Sequence, residues 1–132
     1  MLVSCSMSQN TKENDVPSNV VAAFNKQFPN ATETKWEKEG RNYEAKFEIN
    51  EGEYGALFDA QSNLIETEVE IATNQFPVGV LEYLNVNYKG KKIDDTAQIT
   101  DAKGNMTYEA EIEGLVILFD NDGKFIKSKR DR

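Results

Sequence analysis

Histidine is absent from this sequence of 132 residues, and cysteine occurs only once, at position 5. These absences exclude an internal disulfide, a Cys/His zinc site, a Ser-His-Asp triad and a Cys-His dyad within the chain. No apolar run is long enough to predict a transmembrane helix. Many enzyme classes are therefore excluded, and the sequence predicts no catalytic residue, no cofactor and no metal site.

Basic residues are also scarce, and the formal net charge is −8. Nucleic acids and anionic lipids are disfavoured as main partners, because both require concentrated Lys and Arg. Residues 47–88 contain eight acids and no Lys or Arg, whereas residues 124–132 contain five basic residues. We interpret the basic end as a frayed, solubilising terminus, with contact to an acidic surface as the alternative.

An internal repeat runs through most of the chain. The segment NYEAKFE at residues 42–48 returns as TYEAEIE at residues 107–113, and Pro17 returns as Pro77. The length suits one compact domain or two half-size units that share a core. We divide the chain into a lipobox remnant and tether (1–15), a first repeat (16–71), a second repeat (76–127) and a basic tail (128–132).

The segment LFDNDGKFI at residues 118–126 could form either a calcium loop or a turn. An EF-hand loop counted from Asp120 needs an oxygen ligand at its fifth position and glycine at its sixth. Here Lys124 is fifth and Gly123 is fourth. The frame also occurs at residues 57–65, without the glycine. We therefore predict a hairpin turn in which Asp120 bonds its own loop and Gly123 has a positive φ, with weak calcium binding as the open alternative.

Apolar periodicity predicts one helix at the start of each repeat, followed by strands. Asp15 or Ser18 could cap the first helix, with Pro17 in its first turn. The predicted strands cover residues 34–38, 43–49, 53–58 and 64–71 in the first repeat, and 96–100, 108–113, 115–119 and 124–128 in the second. The fold class is thus α+β, with two tandem repeats, each having one helix packed on a small antiparallel β-sheet.

Alternation along the strands places acids on the sheet faces away from the helices. Two carboxylate rows result, and they form the candidate partner-binding face: Glu66, Glu68 and Glu70 in one repeat, and Glu109, Glu111 and Glu113 in the other. A solvated sheet face is the favoured explanation of these rows, because charge on the open side of a sheet is normal. The functional interpretation is a platform for a basic protein segment or a weakly held divalent cation.

The single cysteine lies in a targeting pattern. Residues 2–5, LVSC, match the bacterial lipobox, in which the cysteine is lipidated after cleavage. The charged and apolar regions of an export signal do not precede it in this sequence. We expect Cys5 to be a lipid attachment point once the true upstream start is restored, so that the membrane is reached only through that anchor.

The order of these pieces resembles a known family. A proline-started helix, a Phe-Pro stop at residues 28–29, a strand around Trp36, a Tyr-Glu-Ala strand and a Phe-Asp turn are similar to the PepSY-like, β-lactamase-inhibitor-like proteins of the bacterial periplasm. The second copy departs from the pattern, because Tyr88-Lys89 replaces Phe-Pro and no tryptophan matches Trp36. The resemblance implies tandem helix-plus-sheet repeats, export to the cell envelope and no established catalytic residues.

Three classes of function follow. The first is a noncatalytic envelope binding module, an inhibitor or modulator of another envelope protein with a basic surface. The second is an ion-responsive, calcium-linked periplasmic protein that uses the acidic sheet faces. An enzyme is the third and least favoured class, since the chain has neither histidine nor a usable thiol.

Overall fold

The computed structural model describes the chain from Ser8 to Arg130, and it contains one antiparallel sheet with two helices. Each strand pairs with the next one along the chain, so the sheet order is the sequence order. The helices are α1 (Ser18–Gln27) and α2 (Val78–Asn87). The strands are β1 (Ser8–Thr11), β2 (Thr32–Glu39), β3 (Asn42–Ile49), β4 (Gly52–Phe58), β5 (Leu64–Glu70), β6 (Asp95–Asp101), β7 (Met106–Ile112), β8 (Leu115–Phe119) and β9 (Phe125–Arg130).

The two repeats are halves of this single sheet. Strand β5 of the first repeat pairs with β6 of the second, with Val69 opposite Gln98. Both helices lie on the same side of the sheet, because the residues under them are linked by direct cross-strand pairs. The predicted α+β class and the tandem repeats are confirmed. No local sequence pattern indicates that the two small sheets join edge to edge.

The first core forms where α1 packs on β2, β3 and β4. Phe24 of the helix contacts three aromatic rings of the sheet edge-on: the centroid distances are 5.4 Å to Trp36, 5.1 Å to Phe47 and 6.5 Å to Phe58. Such edge-to-face packing adds to the gain from burying apolar area. Trp36 is therefore a core residue, as its sequence context indicated.

The second core repeats this plan with smaller side chains. Val80 and Leu84 of α2 pack with Ala110, Ile112 and Phe119 of the sheet. Thr96 occupies the position of Trp36, since it pairs with Ala110 as Trp36 pairs with Ala45. Its hydroxyl donates a hydrogen bond to the carbonyl of Ile71, in the segment that links the repeats.

Each helix begins directly after a proline. Pro17 has φ −52° and ψ 137°, and its carbonyl accepts hydrogen bonds from the amides of Val20 and Val21. No side chain caps either helix. The predicted cap by Asp15 or Ser18 is therefore wrong: Ser18 is already helical, and Asp15 ends a short 3-10 helix. Proline fixes φ at the chain entry, which makes a side-chain cap less necessary.

Both edge strands reach into segments that the sequence analysis placed outside the repeats. Ser8–Thr11 pairs with β2 although it lies in the predicted tether. Ser128 and Lys129 continue β9 into the predicted basic tail. The tether and frayed-tail interpretations are corrected for these residues. An edge strand is held by backbone hydrogen bonds on one side, so it needs no apolar alternation that a sequence reading could detect.

Aspartate-capped turns close three of the hairpins. In the turn after β8, Oδ1 of Asp120 accepts the amides of Asp122 and Lys124, each at 2.9 Å, and Gly123 has φ +89°. The predicted turn is thus confirmed. Asp59 accepts equivalent bonds after β4. The same geometry at Asp101 was not predicted, although the spacing from aspartate to glycine is the same as at Asp120.

The turn at Gly123 also contacts the first turn of α2. A Cβ atom at Gly123 would lie 3.1 Å from Cβ of Pro77 and 3.2 Å from the amide nitrogen of Val80. We expect Gly123→Ala to lower the free energy of unfolding by about 1–3 kcal/mol, through strain at positive φ and this crowding. Urea melts measure the effect.

Gly104→Ala is the matched control for Gly123→Ala. Gly104 has φ +90°, and a Cβ atom there would meet no atom within 4 Å. The control therefore carries the backbone strain without the contact with α2, and we expect it to cost less. Equal losses in the two variants would show that the contact of this turn with α2 contributes nothing.

Candidate functional site

The side of the sheet away from the helices carries a continuous acidic surface. Glu66, Glu68 and Glu70 alternate along β5 and point to this side, as the sequence indicated. Ala97 of β6 pairs with Glu70 on one side and with Glu109 on the other. The pairing of β5 with β6 thus places both carboxylate rows on one surface, with only β6 between them.

Register adds acids that the sequence analysis did not select. Glu44 lies on the same side, since it pairs with Leu57, which pairs in turn with Glu66. Asp95 lies there as the partner of Glu111. We call this surface the acidic face and define it by the following residues: Glu44, Glu66, Glu68, Glu70, Asp95, Glu109 and Glu111.

Glu113 does not belong to the acidic face. Strand β7 ends at Ile112, and Glu113 begins the turn with φ +53°. Its carboxylate forms an exposed ion pair with Lys91 at 3.3 Å, and its carbonyl accepts a hydrogen bond from Arg130. The expectation that Glu113 extends the row is corrected, because alternation ends where the backbone turns.

Three glutamates of the acidic face are buried. Glu44 and Glu109 are each 3% exposed, and Glu68 is 5% exposed. Oε1 of Glu44 and Oε2 of Glu68 lie within this buried layer without a hydrogen-bond partner. A sequence pattern cannot distinguish this arrangement from a solvated face. All three side chains stand on inner strands of the nine-stranded sheet, and β5, which carries Glu68, becomes an inner strand only through its pairing with β6.

Burial shifts the ionisation of these acids. Burial is the main cause and repulsion from Glu109 and then Glu44 the next, and together they raise the pKa of Glu68 to about 10. Burial also raises the pKa of Glu44 to about 8, with repulsion from Glu39 as the second cause. The pKa of Glu109 is likewise raised to about 8, mainly by burial and then by Asp95. These carboxyl groups therefore retain protons at neutral pH. A cation that binds beside them would favour the ionised form and cause them to lose those protons.

The floor between the acids is made of small and apolar residues. Gly55 lies on this side of β4 and pairs with Lys46 and Glu68. The floor continues with Leu57 of β4 and with Ala97 and Ile99 of β6. Glycine within a strand often marks a place where another backbone or a ligand approaches closely. The arrangement offers a shallow apolar floor with carboxyl groups around it.

Among residues 8–130, no group of three or more acidic, cysteine or histidine side chains is arranged to hold a metal ion. In the LFDNDGKFI turn, Oδ1 of Asp120 accepts hydrogen bonds from two backbone amides. In the acidic face, by contrast, Oε1 of Glu44 and Oε2 of Glu68 have no hydrogen-bond partner, so a ligand could bind to them.

Comparison of the sequence with protein families gives a match over nearly all of the chain. The profile described as "Putative beta-lactamase-inhibitor-like, PepSY-like" matches twice, at residues 1–66 and at residues 47–127. The chain belongs to this PepSY-like family. The two matches follow the two repeats and confirm the resemblance that the sequence suggested. None of the curated proteins is similar enough to count as a relative.

Solved structures share the fold of this PepSY-like protein. A BLIP-like protein from Bacteroides fragilis is 27% identical, with a TM-score of 0.65 over 86% of this chain and 84% of that one. A DUF2874 family protein from Bacteroides uniformis is 21% identical, with a TM-score of 0.76 over 86% and 88% of the two chains. A third structure, from Bacteroides eggerthii and described among "putative periplasmic proteins", is 15% identical, with a TM-score of 0.78 over 87% and 88%.

The lipid attachment expected at Cys5 lies outside the described residues. Within residues 8–130, neither helix is long and apolar enough to cross a membrane.

Proposed function

We propose that this PepSY-like protein is a noncatalytic binding module of the cell envelope, and that its acidic face binds a basic surface of another envelope protein. The observation that carries the proposal is the pair of buried glutamates, Glu44 and Glu68, each with an unpartnered carboxylate oxygen. A buried polar atom without a partner costs free energy, so a ligand that supplies a donor would gain from satisfying it. This protein would inhibit or modulate its partner where the bound acidic face covers the partner's own functional site.

The partner is expected to be basic because Lys and Arg donate to carboxylates and favour their ionised form. A lysine or arginine side chain that enters the acidic face would lower the pKa of Glu44, Glu68 and Glu109. Binding would then release protons. Affinity for a basic partner should therefore increase as the pH rises from 6 to 8.

Charge reversal on the rim of the acidic face tests the proposal. Glu66 is half-buried and Glu70 is exposed, so Glu66→Lys/Glu70→Lys should fold while opposing a basic partner. We expect a stoichiometric partner to be recovered with the wild type and lost with this variant in pull-downs from an envelope extract of the native cells.

The matched control for this pull-down is Glu13→Lys/Glu82→Lys, which makes the same change in net charge at exposed positions outside the sheet. It should retain the partner. Retention of the partner by both variants, or loss by both, would contradict the assignment of the face.

The envelope location includes a lipid anchor at Cys5. The solved structures with this fold include proteins described as periplasmic, and the sequence places a lipobox at the sole cysteine. We expect intact-mass analysis of the native protein to show a chain that begins at lipidated Cys5. A cytoplasmic chain that begins at unmodified Met1 would contradict the location.

A further inference from the structure

Strand β9 presents an open edge of the sheet. Its counterpart in the first repeat, β5, pairs on its outer side with β6, whereas no described strand lies beyond β9. Phe125 and Ile126 correspond to Leu64 and Ile65 of β5 in the repeat alignment. An edge strand exposes backbone donors and acceptors that can pair with an added strand.

The side of this edge nearer to α2 is apolar. Phe125 is 42% exposed and Ile126 is 47% exposed, while the equivalent Leu64 and Ile65 of β5 are partly buried. The ring of Phe125 is held in place, because it stacks on the ring of Tyr83 of α2 with 5.0 Å between the centroids. The edge therefore offers a positioned apolar surface.

Helix α2 carries exposed apolar side chains of its own. Val86, which follows Tyr83 by one turn, is 77% exposed, and its counterpart in α1 is Lys26. Val78 is 69% exposed where α1 has Ser18. The second repeat thus carries exposed valines where the first carries polar residues, and this difference lies on the helix beside the open edge.

The opposite side of β9 is basic. Lys127 and Lys129 pair with Leu118 and Val116, so both point away from α2. Both side chains are exposed, and within residues 8–130 neither forms an ion pair. Pairing of β9 with β9 of a second copy would bring lysines close to one another, which disfavours that occupant.

We propose that β9 is a docking edge for an extended segment of a partner protein, which adds to the sheet as a further strand. The segment has acidic side chains beside Lys127 and Lys129, and apolar side chains beside Phe125 and Ile126. Backbone pairing supplies affinity in this mode, and the alternating side chains supply specificity. This surface lies at the sheet edge, and its occupancy does not depend on the proposed role of the acidic face.

The probe for this edge is a labelled ten-residue peptide of alternating Glu and Val. Its fluorescence anisotropy is measured while the concentration of the full chain is raised to about 1 mM. We expect binding to the wild type together with slower amide exchange in β9. Lys127→Glu/Lys129→Glu should weaken binding at least tenfold and should bind an alternating Lys and Val peptide instead.

The control for the peptide titration is Lys26→Glu/Lys89→Glu, which has the same net charge and alters exposed residues away from β9. It should bind the acidic peptide like the wild type. Absence of binding, equal loss in both variants, or unchanged exchange in β9 would overturn the proposal and leave the lysines as protection against edge-to-edge aggregation. Self-association through β9 would overturn it in favour of a second copy.

Discussion

Replacing Phe47 with alanine is expected to lower the free energy of unfolding by about 3–5 kcal/mol. Phe47 is 3% exposed, and its ring lies 5.1 Å from Phe24, 4.9 Å from Phe28 and 5.7 Å from Tyr54 between centroids. The substitution removes a ring that both the helix and the neighbouring strand contact, so the site cannot close easily around the cavity. Urea melts measure the loss.

Glu48→Ala is the control for Phe47→Ala, because the next residue of the same strand points to the other side and is exposed. Its cost should be within about 0.5 kcal/mol. Ile112→Ala, at the equivalent core position of the second repeat, should cost about 2–5 kcal/mol. Equal costs at Phe47 and Glu48 would contradict the assignment of the sheet sides.

The second large effect is a pH dependence centred on Glu68. Burial raises its pKa to about 10 in the folded protein, from an ordinary value of 4.5. Below that ordinary value the carboxyl group is protonated in both the folded and the unfolded states. Above it the unfolded chain loses the proton while the folded protein keeps it, so the free energy of unfolding falls as the pH rises toward 10. The limit is about 1.4 kcal/mol per pH unit for one group.

Glu68→Gln removes this contribution, because the amide has nearly the same shape and does not ionise. We expect the variant and the wild type to have similar unfolding free energies near pH 5, with the variant increasingly more stable toward pH 9. Glu48→Gln, at an exposed position, should change the unfolding free energy by less than about 0.5 kcal/mol. Parallel wild-type and Glu68→Gln curves across this range would show that Glu68 is not buried as the structure indicates.

The sequence predicted those parts of the fold that depend on local signals. Apolar alternation at Tyr43, Ala45 and Phe47 identified β3 and its core side, and the aspartate and glycine of LFDNDGKFI identified the turn. Each of these patterns involves residues only a few positions apart, so it predicts local structure without any information on how the rest of the chain folds.

The remaining features depend on long-range pairing. Alternation shows which side of β5 Glu68 occupies, but not that β6 lies beside it, and the two acidic rows form one surface only through that pairing. Strand β1 was missed because a polar edge strand has no apolar pattern to detect, whereas the strand predicted at residues 124–128 is β9, which continues two residues further to Arg130.

The most direct measurement of the binding role is photo-crosslinking in the native cells from a photoreactive residue at Ile99, on the floor of the acidic face. The matched control is the same residue at Ala22, which is exposed on α1. The binding role predicts one protein partner from Ile99, with the crosslink mapped to a basic segment, and no such partner from Ala22. No crosslinked protein from Ile99, or the same proteins from both positions, would contradict it.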